Sequence, residues 1–266
     1  MTFSMDNLFD VHLRRCRGNV TFTWCLSEEN TDQEVGLKPA KVVKVTDWRR
    51  GQFRKCRWRK EGFEIKDWIN HFQDITRISD IADMQFLNIH DNFDEDSVTR
   101  LLKMYKIEYL LICAGGSAEN CHAIFQKVHT DRICLCVKVL PKVVLEKVLI
   151  QNRNRVDVSY HFPIKLNDIL MMNCEEFNVT DPSGFSMKAF NRFLKIWRTG
   201  FNRCLRRFEI SFHYERFPQD CQIEILKGID YIEVTPGRFD FRGAKGSRAT
   251  LMIEPRPRKI TLLISD

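Results

Sequence analysis

The clearest pattern in the chain is an amphipathic helix followed by a strand. Ser186 stands at the N-cap position, and Gly200 can provide the left-handed backbone that ends a helix. From Arg207 onward the apolar period changes to two, as in a strand. The residues that share one side of the predicted helix are Met187, Phe190, Phe193, Leu194 and Trp197. We therefore predict a helix over 186–199, whose apolar side needs a sheet or another helix to cover it, followed by a strand over 207–212.

Strand-like and helical segments alternate along the centre of the chain. The helices are predicted at 64–75, 94–106, 117–128, 141–151, 166–172 and 186–199, and the strands begin near residues 84, 107, 132, 155, 176 and 207. Units of about 20 to 29 residues with one strand and one helix are typical of leucine-rich repeats. The predicted fold class is α/β, a leucine-rich-repeat-like solenoid of parallel strands with helices on one face. A doubly wound open sheet is the competing interpretation.

Both ends of the chain have other patterns. The first fifteen residues are predicted to form one amphipathic helix, and alternation in 20–24, 41–48 and 52–58 predicts a small antiparallel β ribbon. After Tyr214 come five short predicted strands separated by Gly and Pro turns, the first at Cys221–Ile225. Four regions are predicted. Residues 1–17 precede an N-terminal β segment at 18–62, which is followed by a repeat region at 63–214 and a C-terminal β cap at 215–266.

Composition places the chain among globular intracellular proteins. It has 266 residues, of which 44% are hydrophobic and 29% charged. We find no uncharged apolar run long enough for a transmembrane helix and no signal peptide pattern at the N-terminus. Ten scattered cysteines without a CxxC pair fit reduced thiols in the cytoplasm or nucleus and argue against a zinc site.

No constellation of residues predicts catalysis, a metal or a cofactor. The turn at 114–117 lacks the spacing and the lysine of a phosphate loop, so Ser117 is read as an N-cap. Cys121 and His122 are adjacent on one predicted helix, where their side chains diverge. His90 is followed by acids at 91 and 94–96, which are expected to complement a helix dipole. We therefore predict that the protein is not an enzyme.

The formal net charge of +7 is concentrated in the segment 41–60, where aromatic residues alternate with Arg and Lys. Such a segment can bind single-stranded nucleic acid by stacking and phosphate contacts. The residues that would do so are Arg54, Arg57, Arg59 and Trp58. The other interpretation is a ribbon whose aromatic side chains face the core while its cations face water. We favour the ribbon and keep nucleic-acid binding as the alternative function.

The segment 166–212 resembles the core of the type-2 F-box-associated domain, which occurs in a large family of nematode F-box proteins. The segments Ile225–Tyr231 and Gly246–Ile253 resemble the family's C-terminal strands. The positions that carry the resemblance in the core are Leu166, Asp168, Leu170, Asn173, Cys174, Asn191, Phe193, Leu194, Lys195, Trp197, Gly200, Phe208 and Ile210.

The resemblance implies a substrate-recruiting role in a Skp1-cullin ubiquitin ligase, with residues 18–266 as one F-box-associated domain. Family members carry an N-terminal F-box that binds the Skp1 adaptor. Met1–Cys16 is too short for a three-helix F-box, and at most Phe3–Cys16 resembles its last helix. Region 1–17 is therefore read as a possible remnant of that helix, and we expect the F-box to be missing or truncated. This expectation argues against a stable complex with a Skp1-type adaptor and leaves an unidentified target protein as the main partner.

If the solenoid is right, the target would contact polar strand positions opposite the core. Alternation alone selects these candidates. They are Asn88, His90, Arg155, Asp157, Ser159, Asn178, Thr180, Arg207 and Glu209.

Overall fold

The chain forms two compact units, Met1–Val137 and Lys138–Asp266, in a computed structural model. The structure describes residues 8–15, 18–25, 42–49, 52–58, 60, 62–63, 65–77, 81–87, 99–100, 103–105, 107–113, 130–135, 142–159, 163–182, 184–212, 217, 220–256 and 258–265. The predicted helix 117–128 lies outside these residues. Of the predicted helix 94–106, helical backbone is described at Thr99, Arg100, Lys103 and Met104.

The described strands of the N-terminal unit lie in the order β7-β6-β5-β1-β2-β3-β4. Strands β1 to β4 are antiparallel, β1 also pairs antiparallel with β5, and β5, β6 and β7 are parallel. Helix α1 (Ile65–Thr76) buries Trp68, Ile69 and Phe72 on one side. The strands are β1 (Leu8–Arg15), β2 (Gly18–Cys25), β3 (Val42–Arg49), β4 (Gln52–Trp58), β5 (Ile81–Leu87), β6 (Ile107–Cys113) and β7 (Arg132–Leu135). The predicted N-terminal ribbon is confirmed.

The helix predicted for the first fifteen residues is wrong over Leu8–Arg15, which is strand β1. Phe9, Val11 and Leu13 alternate with polar residues there, so the true period is two. Pairing with β2 on one side and β5 on the other fixes the extended form. This strand also covers residues 8–15 of the segment 3–16 that resembles the last helix of an F-box.

The described strands of the C-terminal unit lie in the order β8-β9-β10-β14-β13-β12-β11. Strands β8, β9 and β10 are parallel, and the remaining neighbours are antiparallel. The strands are β8 (Arg153–Ser159), β9 (Cys174–Thr180), β10 (Arg207–Ser211), β11 (Ile232–Thr235), β12 (Arg238–Arg242), β13 (Arg248–Glu254) and β14 (Lys259–Ser265). The helices are α2 (Lys142–Leu149), α3 (Leu166–Met171), α4 (Met187–Arg198) and α5 (Cys221–Leu226), with a 3-10 turn at Ala244–Gly246.

Helix α4 supplies the centre of this unit's core, as its apolar stripe predicts. Phe190 and Phe193 are fully buried against Phe208 of β10, with ring centroids 5.2 and 5.4 Å from it. The Ser186 hydroxyl accepts a hydrogen bond from the backbone N–H of Ala189 at 3.1 Å, which caps the helix start. Gly200 has φ +94°, the left-handed end that the sequence predicts.

The strand predicted at Cys221–Ile225 is wrong, because Cys221–Leu226 is helix α5. Cys221, Ile225 and Leu226 are its buried residues, and their spacing of four and five positions fits one side of a helix turn. Short apolar segments of this length do not separate strand from helix by period.

The predicted C-terminal β cap 215–266 stays a prediction. Strand β14 pairs with β10, so β11 to β14 continue the same sheet of this unit. The α/β class is thus confirmed as a mixed α/β architecture, while stacking of the leucine-rich-repeat type stays a prediction.

Candidate protein-binding surface

Strands β8, β9 and β10 bury one set of side chains and leave the other set partly exposed. Val156, Val158, Phe177, Val179, Phe208 and Ile210 are buried toward the core. The partly exposed set forms what we call the polar face: Arg155, Asp157, Glu176, Asn178, Thr180, Arg207 and Glu209. The alternation of the three strands therefore places one polar surface across three parallel neighbours.

Parallel register sets these residues side by side in rows. One row contains Arg155, Glu176 and Arg207, and the next contains Asp157, Asn178 and Glu209. A third row contains Ser159, Thr180 and Ser211.

The structure thereby brings together seven of the nine candidate positions predicted from the sequence. They are Arg155, Asp157, Ser159, Asn178, Thr180, Arg207 and Glu209. The other two, Asn88 and His90, lie outside the described residues. That the assembled positions contact a partner stays a prediction.

The β8 half of the polar face is held by charged hydrogen bonds. Arg155 Nε donates to both carboxylate oxygens of Asp157, at 2.9 and 3.0 Å. Asn178 Nδ2 donates to Asp157 Oδ1 at 2.7 Å, and Arg155 Nη1 lies 3.6 Å from Glu176 Oε2. These contacts fix the orientation of the side chains on this part of the sheet.

Glu209 is the anchor of the other half. Arg207 Nη2 donates to Glu209 Oε2 at 2.5 Å, and Lys259 Nζ of β14 lies 3.0 Å from the same oxygen. Burial by itself would raise the pKa of Glu209, but the hydrogen bonds from Arg207 and Lys259 outweigh it and hold the pKa below its ordinary value of 4.5. The carboxylate therefore stays ionised at neutral pH.

Sequence reasoning missed the contribution of β14 to this surface. Lys259, Thr261 and Leu263 stand in register with Ser211, Glu209 and Arg207. Leu263 is partly exposed and Thr261 is buried. Nothing in the local sequence shows that β14 inserts beside β10, because the pairing joins segments about fifty residues apart. Strands so distant in sequence can pair in a sheet, but no local pattern predicts which of them will.

Cys174, at the start of β9, is not a candidate nucleophile. Burial first, then the nearby charges of Asp157, Cys204 and Glu176, raise its pKa to about 12. The thiol is consequently protonated at neutral pH, and only a thiolate attacks efficiently.

The residues predicted for nucleic-acid binding are separated by the register of the ribbon. Arg54 pairs with Asp47, and Arg57 pairs with Lys44, so the two arginines occupy strand positions of opposite parity. Trp58 has the parity of Arg54, while Arg59 lies outside the described residues. The turn at 114–117, Cys121, His122 and the acids that follow His90 also lie outside the described residues. Nucleic-acid binding by this segment stays a prediction.

The fold and the surface together describe a mixed α/β protein whose C-terminal unit exposes the polar face on its parallel strands. Residues 144–210 match the model of a family described as F-box associated. This segment runs from within α2 to within β10 and contains every residue of the polar face.

Over 199 residues the chain is 25% identical to the F-box associated domain-containing protein sdz-33 of Caenorhabditis elegans. The alignment covers 73% of this chain and 62% of that relative, so the chain matches less than two thirds of the relative's length. The two matches confirm the resemblance to the F-box-associated family. No solved structure matches the chain. No described helix is long and apolar enough to cross a membrane.

Proposed function

We propose that this protein is a non-catalytic protein-binding module and that the polar face binds its target. The observation that carries the proposal is the three-strand register that assembles seven predicted positions on one surface. The family match supports it, because the matched segment includes β8, β9 and all of β10 except its last residue.

The charges of the polar face fit recognition of another protein. The side chains of Arg155 and Arg207 are 40% and 41% exposed, although each is paired with an acid on its own strand. An exposed arginine that is already oriented by a carboxylate can still donate to a partner's oxygen atoms. Such preformed charge pairs favour specificity over raw affinity.

In the fuller form of the proposal, the module recruits a substrate for a Skp1-cullin ubiquitin ligase, as the F-box-associated family implies. Residues 18–266 would form one such domain, with strands and helices of its repeat region stacked as in leucine-rich repeats. Coupling to the ligase is separate from target binding. Co-purification of the chain with a Skp1-type adaptor tests the coupling alone.

The test of target binding is the variant Arg155→Glu with Arg207→Glu. Partners recovered with the wild-type chain from cells would be identified by quantitative mass spectrometry, and the recovery of each would be compared between wild type and variant. We expect the specific partner to be lost, because both guanidinium groups are reversed in charge while the apolar side of the sheet is untouched.

The matched control is Arg203→Glu, which reverses an exposed arginine away from the polar face. Far-UV circular dichroism and urea unfolding would show that each variant is folded. Equal recovery of the partner by wild type and the double variant would overturn the proposal.

A further inference from the structure

Strand β11 is an open edge of the C-terminal unit. Among the described strands it pairs with β12 alone, and every residue from Asp230 to Pro236 is exposed. The exposed fractions are 72% for Ile232, 50% for Val234 and 44% for Tyr231. Edge strands with exposed apolar side chains and unpaired backbone groups are templates for pairing with another strand.

The charge on this edge is negative. Asp230 and Glu233 are the ionisable acids between residues 230 and 236, and no Lys or Arg occurs there. Arg198 Nη2 approaches Asp230 at 3.8 Å, a long contact to a fully exposed carboxylate. Within the part of the chain that the structure describes, Glu233 has no ion pair or side-chain hydrogen bond. The edge therefore favours a strand that brings cations.

Strand β4 supplies that composition in the same chain. It pairs with β3 alone, so within the described part of the chain its other edge is unpaired too. Its sequence is Gln-Phe-Arg-Lys-Cys-Arg-Trp, with three cations and no acid, and Arg59 and Lys60 follow it. The strand also contains Phe53 and Trp58, which are favourable strand residues.

Two copies of the chain can join these edges in three ways. Pairing β11 with β11 brings acids together, and pairing β4 with β4 brings cations together, which is unfavourable across neighbouring strands. Only β4 against β11 combines opposite charges. We propose that β11 of one copy binds β4 of a second copy by strand addition, so that copies associate head to tail. This contact is distinct from target binding by the polar face and does not depend on it.

A head-to-tail contact leaves one free edge of each kind on every open assembly, so association continues with concentration until the copies close into a ring. Sedimentation velocity of the full chain would test this over a range of concentrations at low and high salt. We expect the average sedimentation coefficient to rise with concentration and to fall with added salt, because salt screens exposed charges.

Charge-swapped variants identify the edges. Glu233→Lys alone and Arg57→Glu alone are each expected to weaken association about tenfold, the scale of a change of about 1.4 kcal/mol. An equimolar mixture of the two variants is expected to recover association, because lysine on one edge then meets glutamate on the other. Glu224→Lys is the matched control, since Glu224 is an exposed acid on α5 and lies off the edge.

Ile232→Lys is a second edge variant, expected to weaken association by adding a charge to the apolar contact. Circular dichroism would confirm that every variant is folded. The proposal is overturned if the wild-type chain stays monomeric up to its solubility limit. It is equally overturned if Glu224→Lys weakens association as much as Glu233→Lys, or if mixing the swapped variants recovers nothing.

Discussion

At the scale of single residues, the positions that carry the family resemblance are mostly structural. Asn191 is buried, and its Nδ2 donates to the backbone carbonyls of Ile225 at 2.7 Å and Lys227 at 2.9 Å. These carbonyls belong to the last turn of α5 and the residue after it, where no intrahelical donor remains. The Asn191 side chain of α4 thus caps the C-terminal end of α5 and holds this helix against the core.

Asn191→Ala should therefore lower the free energy of unfolding by about 2 to 3 kcal/mol, because one buried and one part-buried carbonyl lose their donor. Urea unfolding followed by intrinsic fluorescence would measure the change. Lys195→Ala is the matched control on the same helix: Lys195 is exposed, and its replacement should cost less than about 0.5 kcal/mol. Equal effects of the two variants would contradict the structural role of Asn191.

Trp197 is a second position that carries the family resemblance and has a structural role. It is 4% exposed, and its ring lies edge-on to Phe241 with centroids 6.0 Å apart. A Cβ added to Gly243 would lie 2.9 Å from Trp197 Cη2, so the indole and this glycine are fitted to each other. The tryptophan is core, as its position on the apolar stripe predicts.

At the scale of elements, Glu209 ties β10 to β14. Its folded-state pKa is lowered, so the stabilising contribution is present above the ordinary carboxylate pKa and is lost as the pH falls through the folded-state value. Glu209→Gln should lower the free energy of unfolding at neutral pH by about 1 kcal/mol, since it weakens charged hydrogen bonds that are partly exposed to solvent.

The pH dependence separates this effect from a general loss of packing. Urea unfolding at neutral pH and at a pH well below 4.5 should show a smaller acid-induced loss of stability for Glu209→Gln than for the wild type. Glu224→Gln, on the exposed side of α5, should keep the wild-type pH profile. Parallel profiles for wild type and Glu209→Gln would refute the assignment.

The long periodic pattern of α4 could be predicted from the sequence, whereas α5 and β1 could not. The stripe of α4 spans three turns, and both its N-cap and its glycine end were correctly placed. The six residues of α5 and the eight of β1 give too few repeats to separate a period of two from 3.6. Tertiary pairing decides those segments.

The polar face, too, could be predicted from the sequence only in part. Alternation within β8, β9 and β10 placed their polar residues opposite the core, and parallel register then followed from consecutive strand-helix units. The insertion of β14 beside β10 could not be read from the sequence, so Lys259 was missed although it contacts Glu209.

At the scale of the whole molecule, each compact unit has its own group of neighbouring strands and its own buried side chains. In the C-terminal unit the buried side chains of α4, β9 and β10 contact one another within residues 138–266. A unit with its own core is expected to unfold as one cooperative transition.

We predict that the fragment 138–266 folds without the rest of the chain. Circular dichroism should show both helix and strand, and urea unfolding should be cooperative. The fragment 138–258, which lacks β14, is the control and should fail to unfold cooperatively because β10 and β13 lose their shared neighbour. A non-cooperative transition for 138–266 would argue against an autonomous unit.

The place of β14 between β10 and β13 also sets a time order during synthesis. Residues 259–265 leave the ribosome after every other strand of the unit, yet they occupy an interior position of the sheet. Until they emerge, β10 and β13 are both unpaired on one side, and Glu209 lacks the Lys259 ammonium. A nascent chain therefore has two unpaired strand edges, and both become paired in one late step when β14 inserts. We expect the chain to be most prone to non-native strand pairing during this interval.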